Sequence, residues 1–500
     1  MRRIAAATAV AATALLGTLA LAPAAPAASR LVVKGHGYGH GIGMSQYGAL
    51  GFAQHGTGYR EILGHYYEQT SLAPLGSSPD VRVLLQSGRR AVVRGVVAGA
   101  GRRLKPTSTY SVRAASGGRV ALYSASGRRM ATAASPLRLA GPKDGAFTLR
   151  GPAANGTRDG AYRGALEVRA AGSGVQAVNA IDLEDYVRGV VSAESPPSWP
   201  AEALKAQAVA ARTYAVTTNV GSPDDGVDQY ADTRSQMYKG VAAEFPATDA
   251  AVAATAGQVV VQNGQPVTTY FFSTSGGHTE DIQNSFVGSL PRAWLKGVDD
   301  PFDSVSPRHS WGPYSFSQAR IQAKLKGLVR GRFRGITVLE RGVSPRVVRA
   351  EVDATNGVTQ VTGPQLRARL GLFDTWATFT YISANAKKHK PSAEDPAQGD
   401  DTGGATTTSP KSGGAADPAT DTTGGQAAAI ARAAARQMTG TIRPARRGRR
   451  LAVQVRDGRT WHTVGATLVG GDGRYRATLP GPGTYRVALG DVAGPALDVR

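Results

Sequence analysis

The chain has 500 residues, 41% of them hydrophobic and 19% charged, which suffices for two or three domains with cores of their own. Lys and Arg number 58 against 36 Asp and Glu, a formal net charge of +22, and cysteine is absent. These figures exclude a disulfide framework, a thiolate zinc site and a cysteine nucleophile, and no apolar run beyond the N-terminus is long enough for a polytopic membrane protein.

In chain order, Arg2 and Arg3 precede an apolar, alanine-rich stretch from Ile4 to Leu21. Small residues around Ala25-Pro26-Ala27 follow, so residues 1–28 read as a secretory signal peptide cleaved near Ala27-Ala28. The basic excess calls for an anionic partner. For an exported chain with no base-reading motif, that means anionic wall polymers rather than nucleic acid.

Residues 29–386 read as one domain in three parts. The first, 31–72, holds GHGYGHGIGMSQYGA at 35–49, where glycine at nearly every second position excludes a stable helix and permits close backbone approach. In extended geometry His36, Tyr38 and His40 face one way. Two histidines can begin a metal site, yet no third ligand stands nearby, which favours a hydrogen-bonding or structural role. A helix is predicted over Tyr59–Tyr67. The second part, 80–180, is β-rich, with short runs at 81–85, 110–112, 120–123 and 166–168 separated by Gly, Ser and Asn.

The third part, 181–383, mixes helix and strand and carries the most informative run. Pro200 suits the start of a helix, and Glu202 can bond back to its free amides. Ala201, Leu204, Ala208, Ala211 and Ala215 then recur at helical spacing, a face of small residues that predicts close packing. Lys205 and Arg212 lie on another face with Gln207 nearby, and either position an acidic ligand or pair with local carboxylates. Glu194 precedes the helix as a lone carboxylate in a turn, flanked by Val190, Val191 and Trp199. Partial burial there favours the protonated acid, which can donate to a glycosidic oxygen. Glu202 is the competing acid and reads as a helix cap.

Residues 387–425 are Gly, Thr, Asp, Pro, Ser and Ala with almost no large apolar side chain, the composition of a flexible linker. A short helix is predicted over 427–437. The rest of 426–500 alternates as a small β-module, with strands at 451–455, 461–464, 475–479 and 484–488 and turns at 471–473 and 480–483. It shows no catalytic constellation, and wall adhesion or spacing is its expected role.

The run GVVSAESPPSWPAEALKAQAVAARTYA at 189–215 resembles the signature of the SpoIID/LytB family. So do Leu183-Glu-Asp-Tyr-Val187, Asp232-Thr233 with Gln236, Tyr238 and Gly240, and YFFSTSGGHT at 270–279. The resemblance covers about 31 to 383. It implies an α+β fold, a mixed β-rich core with the N-capped helix packed on it, joined here to a small C-terminal β-sandwich-like module. It also implies a lytic transglycosylase that cleaves the MurNAc–GlcNAc β-1,4 bond of peptidoglycan glycan strands, leaving 1,6-anhydroMurNAc. Glu194 takes the place of the family's catalytic acid, and no cofactor is expected. LytB-like relatives imply the alternative, a non-catalytic wall-binding protein that enhances a wall amidase.

In the family, the Gly-His block with its following HYY (here 65–67) ordinarily comes after a stretch like Val361–Leu372. Here it comes first, so the motif order resembles a circular permutation. Termini that lie close together tolerate such a rearrangement. It predicts that 31–50 fold beside 375–383, and that His40, Ser45 and Gln46 share a cleft with Glu194. Lys205, Gln207, Arg212, Gln236 and Ser273 complete the expected substrate-binding set. Zinc is associated with relatives carrying His or Cys in the 232–238 and 270–279 segments. This chain has no Cys and leaves His278 alone there, so no metal is expected.

Overall fold

The computed structural model describes residues 28–221, 226–388, 436–445 and 447–499. The expected signal peptide and the expected linker lie outside these residues except at their borders. So does most of the helix predicted over 427–437, whose last two residues, Arg436 and Gln437, open a strand instead. The chain divides into two units, one of residues 32–315 and 319–379, the other of 316–318 and the residues from 380 onward together with the first few described.

The larger unit is α+β and rich in strand. Asp80–Gly88 shows how the strands arise: Val81, Val83 and Leu85 alternate inward while their neighbours stay partly exposed. This strand sits between Gly174–Asp182, antiparallel, and the short Gln229–Tyr230, parallel, in a seven-stranded sheet. A six-stranded antiparallel sheet is built from hairpins between 90 and 162. Val83, Leu85, Val93, Val112, Leu122, Phe147, Leu166 and Val168 belong to one continuous core.

Six helices position the site: α1 (Gln46–Gln54), α2 (Tyr59–Tyr66), α3 (Leu183–Glu194), α4 (Ala201–Thr217), α5 (Pro246–Ala254) and α6 (Gly363–Leu370). Asp182 starts α3 as N-cap, its carboxylate accepting from the Glu184 amide at 2.9 Å. Helix α4 is buried almost all round. Leu204, Ala208, Ala211 and Ala215 enter the sheet core, as their spacing predicts, while Ala201 at the helix start stays exposed. Ala206, Val209 and Ala210 enter a second core with Ile42, Met44, Ile62, Tyr66 and Val260. A helix shared by two cores needs small side chains on both faces, and this explains its alanine content.

Pro200 is the N-cap of α4 rather than its first residue. Glu202 caps a different helix: its Oε2 accepts from the Tyr59 amide at the start of α2, at 2.8 Å.

In the smaller unit, residues 381–388 pair antiparallel with Arg436–Arg443, which pairs in turn with Arg474–Leu479. A second antiparallel sheet joins Arg450–Asp457 to Thr460–Leu468 and Gly483–Leu489. Among the described residues, no helix is long and apolar enough to cross a membrane.

Helix α1 approaches its neighbours so closely that a Cβ on Gly48 would stand 2.0 Å from the Tyr66 hydroxyl and 2.2 and 2.4 Å from the Asp300 carboxylate oxygens. Asp300 is only 1% exposed, and its burial, reinforced by Asp303, raises its pKa to about 6. The helix therefore cannot tolerate a methyl group without moving. Gly48→Ala is expected to lower stability by about 1–3 kcal/mol, read as a shifted urea midpoint at constant m-value. An unchanged midpoint would show that the contact opens freely.

Candidate active site

Glu194 is the last residue of α3, so the turn expected at this position begins one residue later. The helix end fixes where the carboxyl points. Oε1 accepts from the Met237 backbone N–H at 2.7 Å. Oε2 accepts from the Gln46 side-chain amide at 3.2 Å, and that amide also reaches the Glu194 carbonyl at 3.3 Å and Gln207 Oε1 at 3.4 Å. Gln207 Oε1 also accepts from Ser195 Oγ at 3.4 Å. Three parts of the sequence, at 46, 194–207 and 237, thus converge on one half-buried carboxyl.

Burial raises the Glu194 pKa above the usual carboxylate range, and the Met237 amide, the Gln46 amide and the Lys239 charge offset this only in part. The C-terminal end of α3 acts in the same direction as burial, because a carboxylate there meets the negative pole of the helix. Burial also acts to raise Glu202, but its bonds to Lys205 (2.6 Å) and to the Tyr59 amide outweigh that and hold it below the usual range. Of the two acids, Glu194 is the one whose surroundings favour holding a proton.

The other expected residues separate. Gln46 and Gln207 join Glu194. Gln236 is buried and acts from behind, its amide donating to the Tyr186 hydroxyl and the Ala211 carbonyl, both at 3.3 Å. With Lys239 N–H on the Gly189 carbonyl at 3.0 Å, it docks the segment that offers the Met237 amide. Ser45 is fully buried as the N-cap of α1, donating to Asp303 Oδ1 at 3.2 Å and accepting from the Gly48 amide at 3.1 Å. It aims Gln46 without reaching the cleft. Ser273 contributes its carbonyl, which accepts from the Tyr47 amide at 3.0 Å.

Arg212 does not meet a ligand. It is 0% exposed and makes two 2.7 Å bonds to Glu184, with carbonyls of Ala208, Val252 and Gln258 taking its remaining donors. Lys205 is tied to Glu202 and lies over the Tyr59 ring at 5.8 Å. For both residues the local carboxylate is the partner the structure supplies.

His40 also leaves the cleft. Gly37, Gly39, Gly41 and Gly43 all have positive φ, from 72° to 136°, so the segment coils instead of extending. Its side chains diverge: His36 packs on Trp376 at 5.2 Å, Tyr38 is exposed beside Phe373, and His40 turns in toward Phe272 and Phe286. The expected neighbour relation is present in the backbone, where His36 N–H donates to the Trp376 carbonyl at 3.0 Å; just outside the expected range, Gly39 N–H donates to the Phe373 carbonyl at 3.2 Å. His278 contacts the Thr279 carbonyl. Among the described residues, no group of three or more His, Asp or Glu is arranged to hold a metal.

Two contributors escaped the sequence. Met237 acts through its backbone, which no side chain advertises. Tyr47 follows Gln46 and meets Trp199 edge-on at 5.1 Å, a half-buried aromatic pair next in sequence to the Gln46 that bonds Glu194. Aromatic faces of this kind suit a sugar ring.

Residues 171–261, which include Glu194, Gln207 and Met237 but not Gln46, match the family model described as Stage II sporulation protein. The chain is 33% identical over 212 residues to Stage II sporulation protein D of Bacillus subtilis, covering 39% of this chain and 60% of that protein. It is 38% identical over 145 residues to the Amidase enhancer of the same organism, covering 29% of this chain and 19% of that protein. Over 124 residues it is 41% identical to an uncharacterized protein of Brachyspira hyodysenteriae, covering 24% and 33%. The chain therefore spans less than two thirds of the length of the curated relatives it matches.

The raised proton affinity of Glu194 has a measurable consequence. When the folded pKa exceeds the unfolded one, the folded state binds more protons between the two values, so stability falls as pH rises through that window. Glu194→Gln keeps an acceptor for Met237 and removes the charge. Its Tm is expected to match wild type near pH 4 and to exceed it above that, by a margin that grows until pH passes the folded pKa and then stays constant up to pH 8. Parallel curves across that range would show that the carboxyl carries no burial penalty.

Proposed function

We propose that this chain, whose residues 171–261 match the Stage II sporulation protein family model, acts on the bacterial cell wall, cleaving peptidoglycan glycan strands as a lytic transglycosylase with Glu194 as its acid and base. The observation that carries this reading is Glu194 itself: a carboxyl whose burial favours the proton, held through one oxygen by a backbone amide and through the other by Gln46.

In the first half-reaction the Glu194 proton passes to the glycosidic oxygen between MurNAc C1 and GlcNAc O4 as the C1–O bond breaks. In the second, the MurNAc 6-hydroxyl attacks C1 and gives its proton to the carboxylate. One bond breaks, one forms, the proton returns to Glu194, and no water is consumed. A second carboxylate is not required, unlike in hydrolysis with its paired acids. Gln46 and the Met237 amide stabilise the carboxylate between the two transfers, and the Tyr47–Trp199 pair offers a platform for a sugar. A leader cleaved near Ala27-Ala28, as the N-terminal sequence suggests, and the net charge of +22 support work outside the membrane on an anionic wall.

A second reading has its own support, the likeness to a protein named Amidase enhancer. On that reading the chain binds wall and recruits an amidase without cutting glycan.

A digest of purified peptidoglycan, with and without stem peptides, separates the two. The full chain is expected to release 1,6-anhydroMurNAc ends, detected by mass spectrometry. Glu194→Gln should lower the rate by about 10²–10⁴-fold while leaving wall binding intact. If neither protein makes such ends and both bind wall equally, the cleavage reading fails and the amidase-enhancer reading takes its place.

A further inference from the structure

His40, absent from the Glu194 cleft, lines a separate cavity of about 450 Å³ with Arg367 of α6, Ser285, Phe286, Leu372 and Thr375. Arg367 is partly buried, and among the described residues its guanidinium has no hydrogen-bond or ion-pair partner. The nearest acid in its field, Asp374, is committed elsewhere: both its oxygens accept from Arg346 at 2.9 Å, and one also takes the Trp376 amide at 3.0 Å.

A cation that has lost part of its water and gained no protein partner favours an anion that can take its place. Burial lowers the Arg367 pKa, and the Asp374 field only partly offsets it. Burial first, then the Arg367 charge, pushes His40 down to about 3, so the ring beside the guanidinium is neutral. Its Nδ1 accepts from the Ile42 amide at 3.0 Å, which leaves His40 a fixed wall with no charge to give. Around the cavity, Ser285 and Thr375 supply polar lining and Phe286 and Leu372 apolar lining.

We infer that this cavity is a carboxylate-binding site: Arg367 takes the carboxylate in a two-pronged bond, and Phe286 and Leu372 receive a small apolar group beside it. The volume suits the end of a short peptide. The alanine carboxylate that ends a peptidoglycan stem peptide has this chemistry, an assignment of source that rests on the cell-wall reading above. The lactyl carboxylate of MurNAc is the other source of the same group.

Titration calorimetry on the full chain tests the site with three probes: an N-acetylated stem peptide ending in D-alanine, the same peptide amidated at its C-terminus, and a peptide-free MurNAc–GlcNAc chain. Two variants accompany wild type. Arg367→Gln removes the charge, and Ala368→Trp, at an exposed position on the cavity rim, blocks entry without touching the core. The stem peptide is expected to bind wild type and to lose at least about tenfold in affinity on amidation and in either variant. If the peptide-free chain loses affinity in the variants instead, the site stands and its carboxylate is the lactyl one. The inference is overturned if wild type binds neither carboxylate probe, or if both folded variants bind them as wild type does. A chain that binds the peptide at Arg367 yet makes no anhydro ends removes the cleavage reading and leaves this site in place.

Discussion

The Arg212–Glu184 pair fixes the geometry on which the site depends. Arg212 lies on α4 and is wholly buried, while Glu184 lies in the first turn of α3 and accepts from it through both oxygens at 2.7 Å. Removing one member of such a pair strands a charge and costs roughly 3–5 kcal/mol. The same guanidinium takes the carbonyls of Val252 in α5 and Gln258 in the following strand, so four elements lock to one planar group. Glu194 ends α3, and Gln207 lies on α4 little more than one turn before Arg212. The separation of these two site residues is therefore set by an ion pair that never meets a ligand.

The remaining contributor arrives from far away in sequence. Gln46 stands 148 residues before Glu194 and reaches it because the preceding glycines coil the chain tightly. Ser45 then caps α1 against Asp303, and Gly48 lets that helix lie directly on Tyr66 and Asp300. Each step is local, and together they set the Gln46 amide within hydrogen-bonding distance of both the carboxyl and the carbonyl of Glu194.

What the sequence revealed follows from which physical signals it carries. The long run at 189–215 singled out Glu194 and Gln207, and the displaced Gly-His block pointed to contact between 31–50 and 375–383, which the backbone bond from His36 to Trp376 displays. The face that His40 occupies was not legible, because alternating glycine was read as a strand and positive φ reverses that reading. Arg212 and Lys205 carry charges that suit a ligand as well as a carboxylate, and only burial and partner distance distinguish the two. Helix α3 itself escaped the sequence, which puts Glu194 in a turn, because Ser195-Pro-Pro marks a break without saying that a helix runs up to it. The Met237 donor had no signal at all beyond its place beside Gln236.

Glu194 must serve two opposite tasks if it works alone, and its surroundings are graded accordingly. Burial by itself would leave an acid that releases its proton reluctantly and whose conjugate base has no support. Two strong donors by themselves would give an ordinary carboxylate, deprotonated when the glycosidic oxygen needs a proton. Here burial prevails and the Met237 and Gln46 donors moderate it, so proton affinity is raised while the anion keeps two donors. A general acid that must next act as a base works best when neither form is much favoured over the other. The two donors come from segments flanking α3 on opposite sides in sequence, at 46 and 237, so the balance depends on the whole unit being folded rather than on the motif that contains Glu194.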